Sequence, residues 1–135
     1  MSRVARSARV GSRQRVETLG NGTSAATAKT ITKAETGELY FIDHNHAGEL
    51  LITLPPKQDG AYFKFVVHAN AIAGGKSVVI KSAAANVLID GSVLQLVDNG
   101  NGTADLTIST SNSSDNDKIT LGAGCLEGSF VECVS

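Results

Sequence analysis

A chain of 135 residues with a net charge of −1 and 41% hydrophobic residues suits one domain with its own core. Six aromatic residues and no tryptophan leave Val, Ile, Leu and Ala to build that core, a composition that favours strands. No apolar run reaches the roughly 18 residues of a membrane span, the N-terminus lacks the apolar stretch of a secretory signal, and Cys125 and Cys133 match no zinc or redox spacing. Membrane and exported classes are therefore not expected, and both cysteines are expected as thiols, with their pairing left open.

The near-neutral charge averages two unlike parts. All five arginines, Arg3, Arg6, Arg9, Arg13 and Arg15, precede the first acid, Glu17. The remaining chain sets seven lysines against thirteen acids, a net of −6. Residues 1–24 are predicted to be an extended basic arm with its linker, and residues 25–135 an all-β body. Val4, Val10 and Val16 collect on no helical face, which favours an extended arm. Sixteen extended residues span on the order of 50 Å, beyond the edge of a body of this size. An Arg- and Ser-rich, acid-free start also resembles an organellar transit peptide, which is the competing reading.

After a turn-rich joint at Gly20-Asn21-Gly22-Thr23-Ser24, short β-type runs follow at intervals of about ten residues, the spacing of sandwiches and barrels. Strands are predicted at 29–33, 38–43, 49–54, 61–69, 76–82, 86–90, 92–97, 104–109, 117–121 and 128–134. The fold class is an antiparallel β-sandwich or barrel of about 8 to 10 short strands carrying the arm. Pro55-Pro56 must end its strand, because neither residue offers an N–H. Asp59-Gly60, Gly74-Gly75, Asp90-Gly91 and Asn99-Gly100 supply the positive φ of tight turns. Alternation in Leu106-Thr107-Ile108-Ser109 and Ile119-Thr120-Leu121 predicts sheets with one wet face. Phe63, Phe65 and Val67 share a face and are predicted to be central to the core. The similar runs 91–97 and 128–134 occur only twice and are read as two strands under similar demands, not as a solenoid repeat.

Candidate chemistry is sparse. His44 and His46 would point to one side of an extended stretch, yet His68 is the only further histidine, and a metal site needs three or four convergent ligands. Asp98-Asn99-Gly100-Asn101-Gly102 lacks the acid positions of a calcium loop and is read as a hairpin tip. Three Asn-x-Ser/Thr matches, at Asn21, Asn101 and Asn112, are read as turn residues. Neither a Gly-x-Ser-x-Gly elbow nor a Cys-His arrangement is present, and the acids are scattered one per turn. No enzyme, cofactor or metal is expected. The arm differs, because arginine forks bind phosphates or carboxylates in two-point contacts. It has no aromatic residue to stack on bases, and the acidic body repels a duplex, so an acidic protein groove is favoured over nucleic acid.

Thr36-Gly-Glu-Leu-Tyr-Phe-Ile-Asp43, Ile52-Thr-Leu-Pro-Pro56 and Asp59-Gly-Ala-Tyr-Phe-Lys-Phe-Val-Val67 together resemble a β domain recurrent in tailed-bacteriophage virion proteins. The similarity runs on through Val78-Val-Ile-Lys81, Ile89-Asp-Gly-Ser92, Asp117-Lys-Ile-Thr-Leu121 and Gly128-Ser-Phe-Val-Glu-Cys-Val134, about residues 36–135 in all. The related pattern often continues into a short Asp-Gly and Trp-containing tail, from which this chain departs. The family occurs in capsid decoration proteins and in fibre or tail proteins, and its motifs mark strands and turns, not catalytic residues. Taken together with the basic arm, which tips the choice toward the first of these roles, the resemblance leads to the expectation of a cement protein on the capsid surface of a virion, a homotrimer in which Arg3, Arg6, Arg9, Arg13 and Arg15 clamp the major capsid protein. Removal of residues 2–16 is expected to leave a folded body that no longer decorates capsids. A receptor-binding domain of a tail fibre is the alternative, and it calls for exposed aromatic side chains.

Overall fold

The computed structural model describes residues 14–20, 28–44, 48–68, 72, 75–84, 92–98, 104–110, 117–122 and 125–134, with 92–98 and 104–110 described by their backbone alone. Ten strands run through them in chain order: β1 (Val16–Leu19), β2 (Lys29–Thr30), β3 (Leu39–Ile42), β4 (Gly48–Thr53), β5 (Tyr62–Val67), β6 (Lys76–Lys81), β7 (Ser92–Asp98), β8 (Ala104–Thr110), β9 (Lys118–Leu121) and β10 (Phe130–Val134). One 3₁₀ turn, Lys33–Glu35, occupies the end of the run predicted as strand 29–33. The all-β reading therefore holds, while the run at 86–90 lies outside the described residues.

The strands form two mixed four-stranded sheets, β1-β3-β5-β10 and β2-β4-β6-β9, and a separate two-stranded sheet, β7-β8. The chain alternates between the first two, so that β1 and β2, β3 and β4, and β5 and β6 make three successive rungs. Within each sheet these strands are parallel. Antiparallel pairing, expected throughout, enters with β9 beside β6, β10 beside β5 and β7 beside β8. Val16 pairs with Leu39, Leu39 with Lys64 and Gly48 with Lys76, offsets of about 23 to 28 residues that fall in the range of solenoid repeats. The stack of rungs is what gives each parallel strand its neighbour, since parallel strands need a long crossover.

Alternation decides which side chains lie between the two sheets. Tyr40 and Ile42 of β3, Phe63, Phe65 and Val67 of β5, Leu50 and Ile52 of β4, and Val78 and Ile80 of β6 are buried in one cluster, joined by Leu19, Ile31, Ile72 and Leu121. The rings of Tyr40 and Phe65 stack at 5.2 Å between centroids. Each such large side chain contributes about 1.5 to 3 kcal/mol by leaving water, so the β5 face named from the sequence is a principal source of cohesion.

The turns do a different job from the one expected. Gly60 and Gly75 do adopt positive φ, 77° and 76°, but they carry the chain from one sheet to the other instead of closing hairpins. Pro55 and Pro56 follow the end of β4 at Thr53, as their missing donors require. Asp90-Gly91 and Asn99-Gly100 lie outside the described residues. Val16–Leu19, assigned from the sequence to the arm and linker, is instead an edge strand of the first sheet, paired along its length with β3.

Candidate functional site

The arm meets the body at β1, and the side chains there form a charged cover over the first rung. Arg15 accepts a hydrogen bond at its carbonyl from Leu39 N–H at 2.9 Å, which fixes its backbone beside β3. Its guanidinium reaches back so that Nη1 lies 2.8 Å from Glu38 Oε1. The Glu38 side chain is 4% exposed and that of Arg15 is 75% exposed, so the pair joins the core edge to solvent. This is an ion pair whose angles fall short of a hydrogen bond at Oε1, while Oε2 accepts one from the Tyr40 hydroxyl at 3.2 Å. Burial raises the Tyr40 hydroxyl pKa, and the negative charges of Glu35 and Glu38 raise it further.

Lys29, on β2 of the other sheet, closes the cover. Its Nζ donates to Glu17 Oε2 and Glu35 Oε1, both at 2.7 Å, and sits 5.8 Å from the centre of the Tyr40 ring. Burial opposes the charged form of Lys29, but the hydrogen bonds to Glu17 and Glu35 outweigh it and raise its pKa. Burial likewise works to raise Glu35, yet hydrogen bonds from Lys29 and Thr32 and the charge of Lys29 hold its carboxyl down at about 2. Glu35 Oε2 also accepts from Thr32 N–H and Thr32 Oγ–H, which anchors the 3₁₀ turn. Among the described residues no strand lies beyond β1 or β2, and the charged side chains of Arg15, Glu17, Lys29, Glu35 and Glu38 gather at that first rung, where a polar cover is needed.

Glu17, Glu35 and Glu38 bring three carboxylate oxygens within 4.8 Å of one another, the one grouping of three potential metal ligands among the described residues. Lys29 and Arg15 already occupy those oxygens, so the cluster acts as an ion-pair network linking the two sheets. The histidines do not converge in that way. His44 is buried, with Nε2 3.2 Å from the Gly48 carbonyl oxygen and Nδ1 without a hydrogen-bond partner among the described residues. His68 stacks on Phe41 at 4.6 Å, and His46 lies outside the described residues. Cys125 and Cys133 are free thiols packed against the core, and burial pushes the Cys133 thiol up to about 11.

Of the five arm arginines, the structure places Arg15; Arg3, Arg6, Arg9 and Arg13 lie outside the described residues. Glu38, its partner, was missed in the sequence, although a signal was there. In a strand that buries Tyr40 and Ile42, alternation sends Glu38 to the same inner side, where a lone acid demands a cation.

A second feature lies on the outer face of the first sheet. Register aligns Thr18, Phe41, Val66 and Phe130 in one row across it and places Lys64 beside Glu132 in the next. Phe130 is 59% exposed and Val134 76%. Lys64 Nζ lies 2.8 Å from Glu132 Oε1 and 4.5 Å from the centre of the Phe130 ring. No helix among the described residues is long and apolar enough to cross a membrane. No family model, no curated protein and no solved structure matches the chain.

Proposed function

We infer that the chain is a structural virion protein that decorates the capsid of a tailed bacteriophage, binding the major capsid protein and reinforcing the shell, with the arginine arm as its clamp. The carrying observation is the Arg15–Glu38 ion pair, which fastens the root of a strongly basic segment to the edge of a sheet. An arm anchored in this way transmits load to a packed body, whereas a freely jointed tail would not. Five arginines in the first fifteen residues, ahead of an acidic body, give the arm a field that seeks carboxylates on a partner. Many copies on one shell, each with a modest contact, stabilise the assembled state by mass action. The chemistry of this reading is binding alone, with no reaction, cofactor or metal.

The test removes the arm without disturbing its root. Deletion of residues 2–16 would take Arg15 and Val16 from the first sheet, so the boundary belongs at residue 13. Protein lacking residues 2–13 should keep its circular dichroism spectrum and melting curve yet fail to co-sediment with capsids stripped of the native protein. Undiminished co-sedimentation would overturn the clamp.

A further inference from the structure

The two ends of the first sheet are finished differently. At β1 the edge carries Arg15 and Glu17, and charged side chains of this kind deter strand-to-strand association. At β10, beyond which no strand pairs among the described residues, Phe130 and Val134 stand exposed on the outer face. Phe41 and Val66 continue that apolar surface across β3 and β5. A contiguous exposed apolar patch flanked by polar side chains marks an interaction surface.

Charge identifies the occupant. Among the described strand residues of that face, the charged side chains are one cation and one anion side by side, Lys64 and Glu132, in direct contact. A partner of uniform charge would gain from one and lose to the other, whereas the surface is its own complement once turned over. We propose that the outer face of the first sheet binds the same face of a second copy, about a two-fold axis running along the seam between β5 and β10. That axis sets Lys64 over Glu132 of the second copy, and Phe130 over Val66 of the second copy. Self-complementary contacts of this kind close as dimers.

The other way of joining copies, antiparallel pairing of two β10 edges centred on Glu132, places like charges directly opposite and is disfavoured. Two sheets stacked face to face lie about 10 Å apart, close enough for these side chains to interdigitate. A two-fold pairing of this kind differs from the homotrimer expected from the sequence. The inference is independent of the capsid reading, because it concerns the purified protein alone.

Sedimentation equilibrium of the full chain at about 100 µM, where contacts of micromolar strength are populated, reads the mass directly. A dimer is expected, and any other mass overturns the proposal. Lys64→Glu and Glu132→Lys should each weaken dimerisation by about tenfold or more, since each places like charges across the axis. An equimolar mixture of the two variants should restore it, because the two acids on one copy then face the two lysines on the other. Failure of the mixture to associate, with both variants folded by circular dichroism, overturns the cross-copy contact. Phe130→Ser should also yield monomer, and dimerisation unaffected by it assigns the interface elsewhere and overturns the proposal. A monomer that dimerises only after removal of residues 2–13 assigns the face to the chain's own arm, with the same result.

Discussion

Arg15 Nη1 lies 2.8 Å from Glu38 Oε1, and through that contact the last arginine of the basic arm is tied to a carboxylate at the edge of the core. Because Arg15 is largely solvated, the attraction is screened, and a double-mutant cycle of Arg15→Ala and Glu38→Gln should return a coupling of about 0.5 to 1 kcal/mol. Arg15→Ala alone should cost about 1 kcal/mol or somewhat more, since it leaves a buried carboxylate short of its cation. Urea unfolding of the four proteins measures all of these. A coupling of zero would mean that the arm is not fastened at this point.

Lys29 carries a larger share of the cover over the first rung, because from the second sheet it reaches both Glu17 of the first sheet and Glu35 of the 3₁₀ turn between β2 and β3. Lys29→Met should destabilise the protein by about 2 kcal/mol, less than for a fully buried pair because Glu17 remains partly solvated. The pH dependence has a definite sign. Glu35 is held at about 2 in the folded protein, against an ordinary value of 4.5. Its contribution is fully present above pH 4.5 and disappears as pH falls through about 2, because the unfolded chain takes up the proton first. Melting temperatures between pH 5 and 2 should therefore fall more steeply in the native protein than in Lys29→Met.

Most of the strands were legible because a strand's face is written in its own alternation. Phe63, Phe65 and Val67 needed no partner to be recognised as an inner face. Their neighbours were not legible. Which strand lies beside β5 depends on how the chain returns after leaving the sheet, and the rungs share no residue motif, only an uneven spacing. Antiparallel pairing was expected because the intervening Gly turns look like hairpins, and the same positive φ also turns a corner between sheets. Val16–Leu19 was hidden by its arginine-rich approach and by Gly20 behind it, and its pairing partner β3 lies some two dozen residues on. In β10, apolar residues on both faces of one strand, Phe130 and Val134 outside with Val131 and Cys133 inside, were the readable sign that the outer face is not simply solvated.

Gly20 holds the first rung in place through the absence of a side chain. Its φ is +91°, and a Cβ there would run into the carbonyl group of Asp43, whose N–H donates to Leu19 O at 2.8 Å. Backbone obstructs the added atom, so no side-chain rotation relieves it. Gly20→Ala should cost about 2 kcal/mol or more, from the left-handed conformation and the collision together. Hydrogen exchange should show the loss concentrated at the amides of Leu39 and Asp43, which bond to β1 and its flank. A neutral Gly20→Ala would mean that β1 leaves its place beside β3 at little cost.

Phe65 and Phe130 belong to neighbouring strands and to opposite faces of one sheet, and they separate cohesion from recognition. Phe65 is fully buried and stacked on Tyr40, so Phe65→Ala should cost about 3 to 5 kcal/mol at any protein concentration. Phe130 is mostly exposed and loses only the contact with Lys64 and part of its packing on the sheet, so Phe130→Ala should cost the monomer less than about 1 kcal/mol. If Phe130 lies in a dimer interface, that small effect must grow with concentration, because association stabilises only the native protein that can dimerise. Thermal melts of the native protein and of Phe130→Ala should therefore nearly coincide in dilute solution and diverge as the protein is concentrated. Melts of Phe65→Ala should lie far below both throughout. Parallel concentration dependence in the native protein and Phe130→Ala would leave Phe130 as an exposed ring with no part in association.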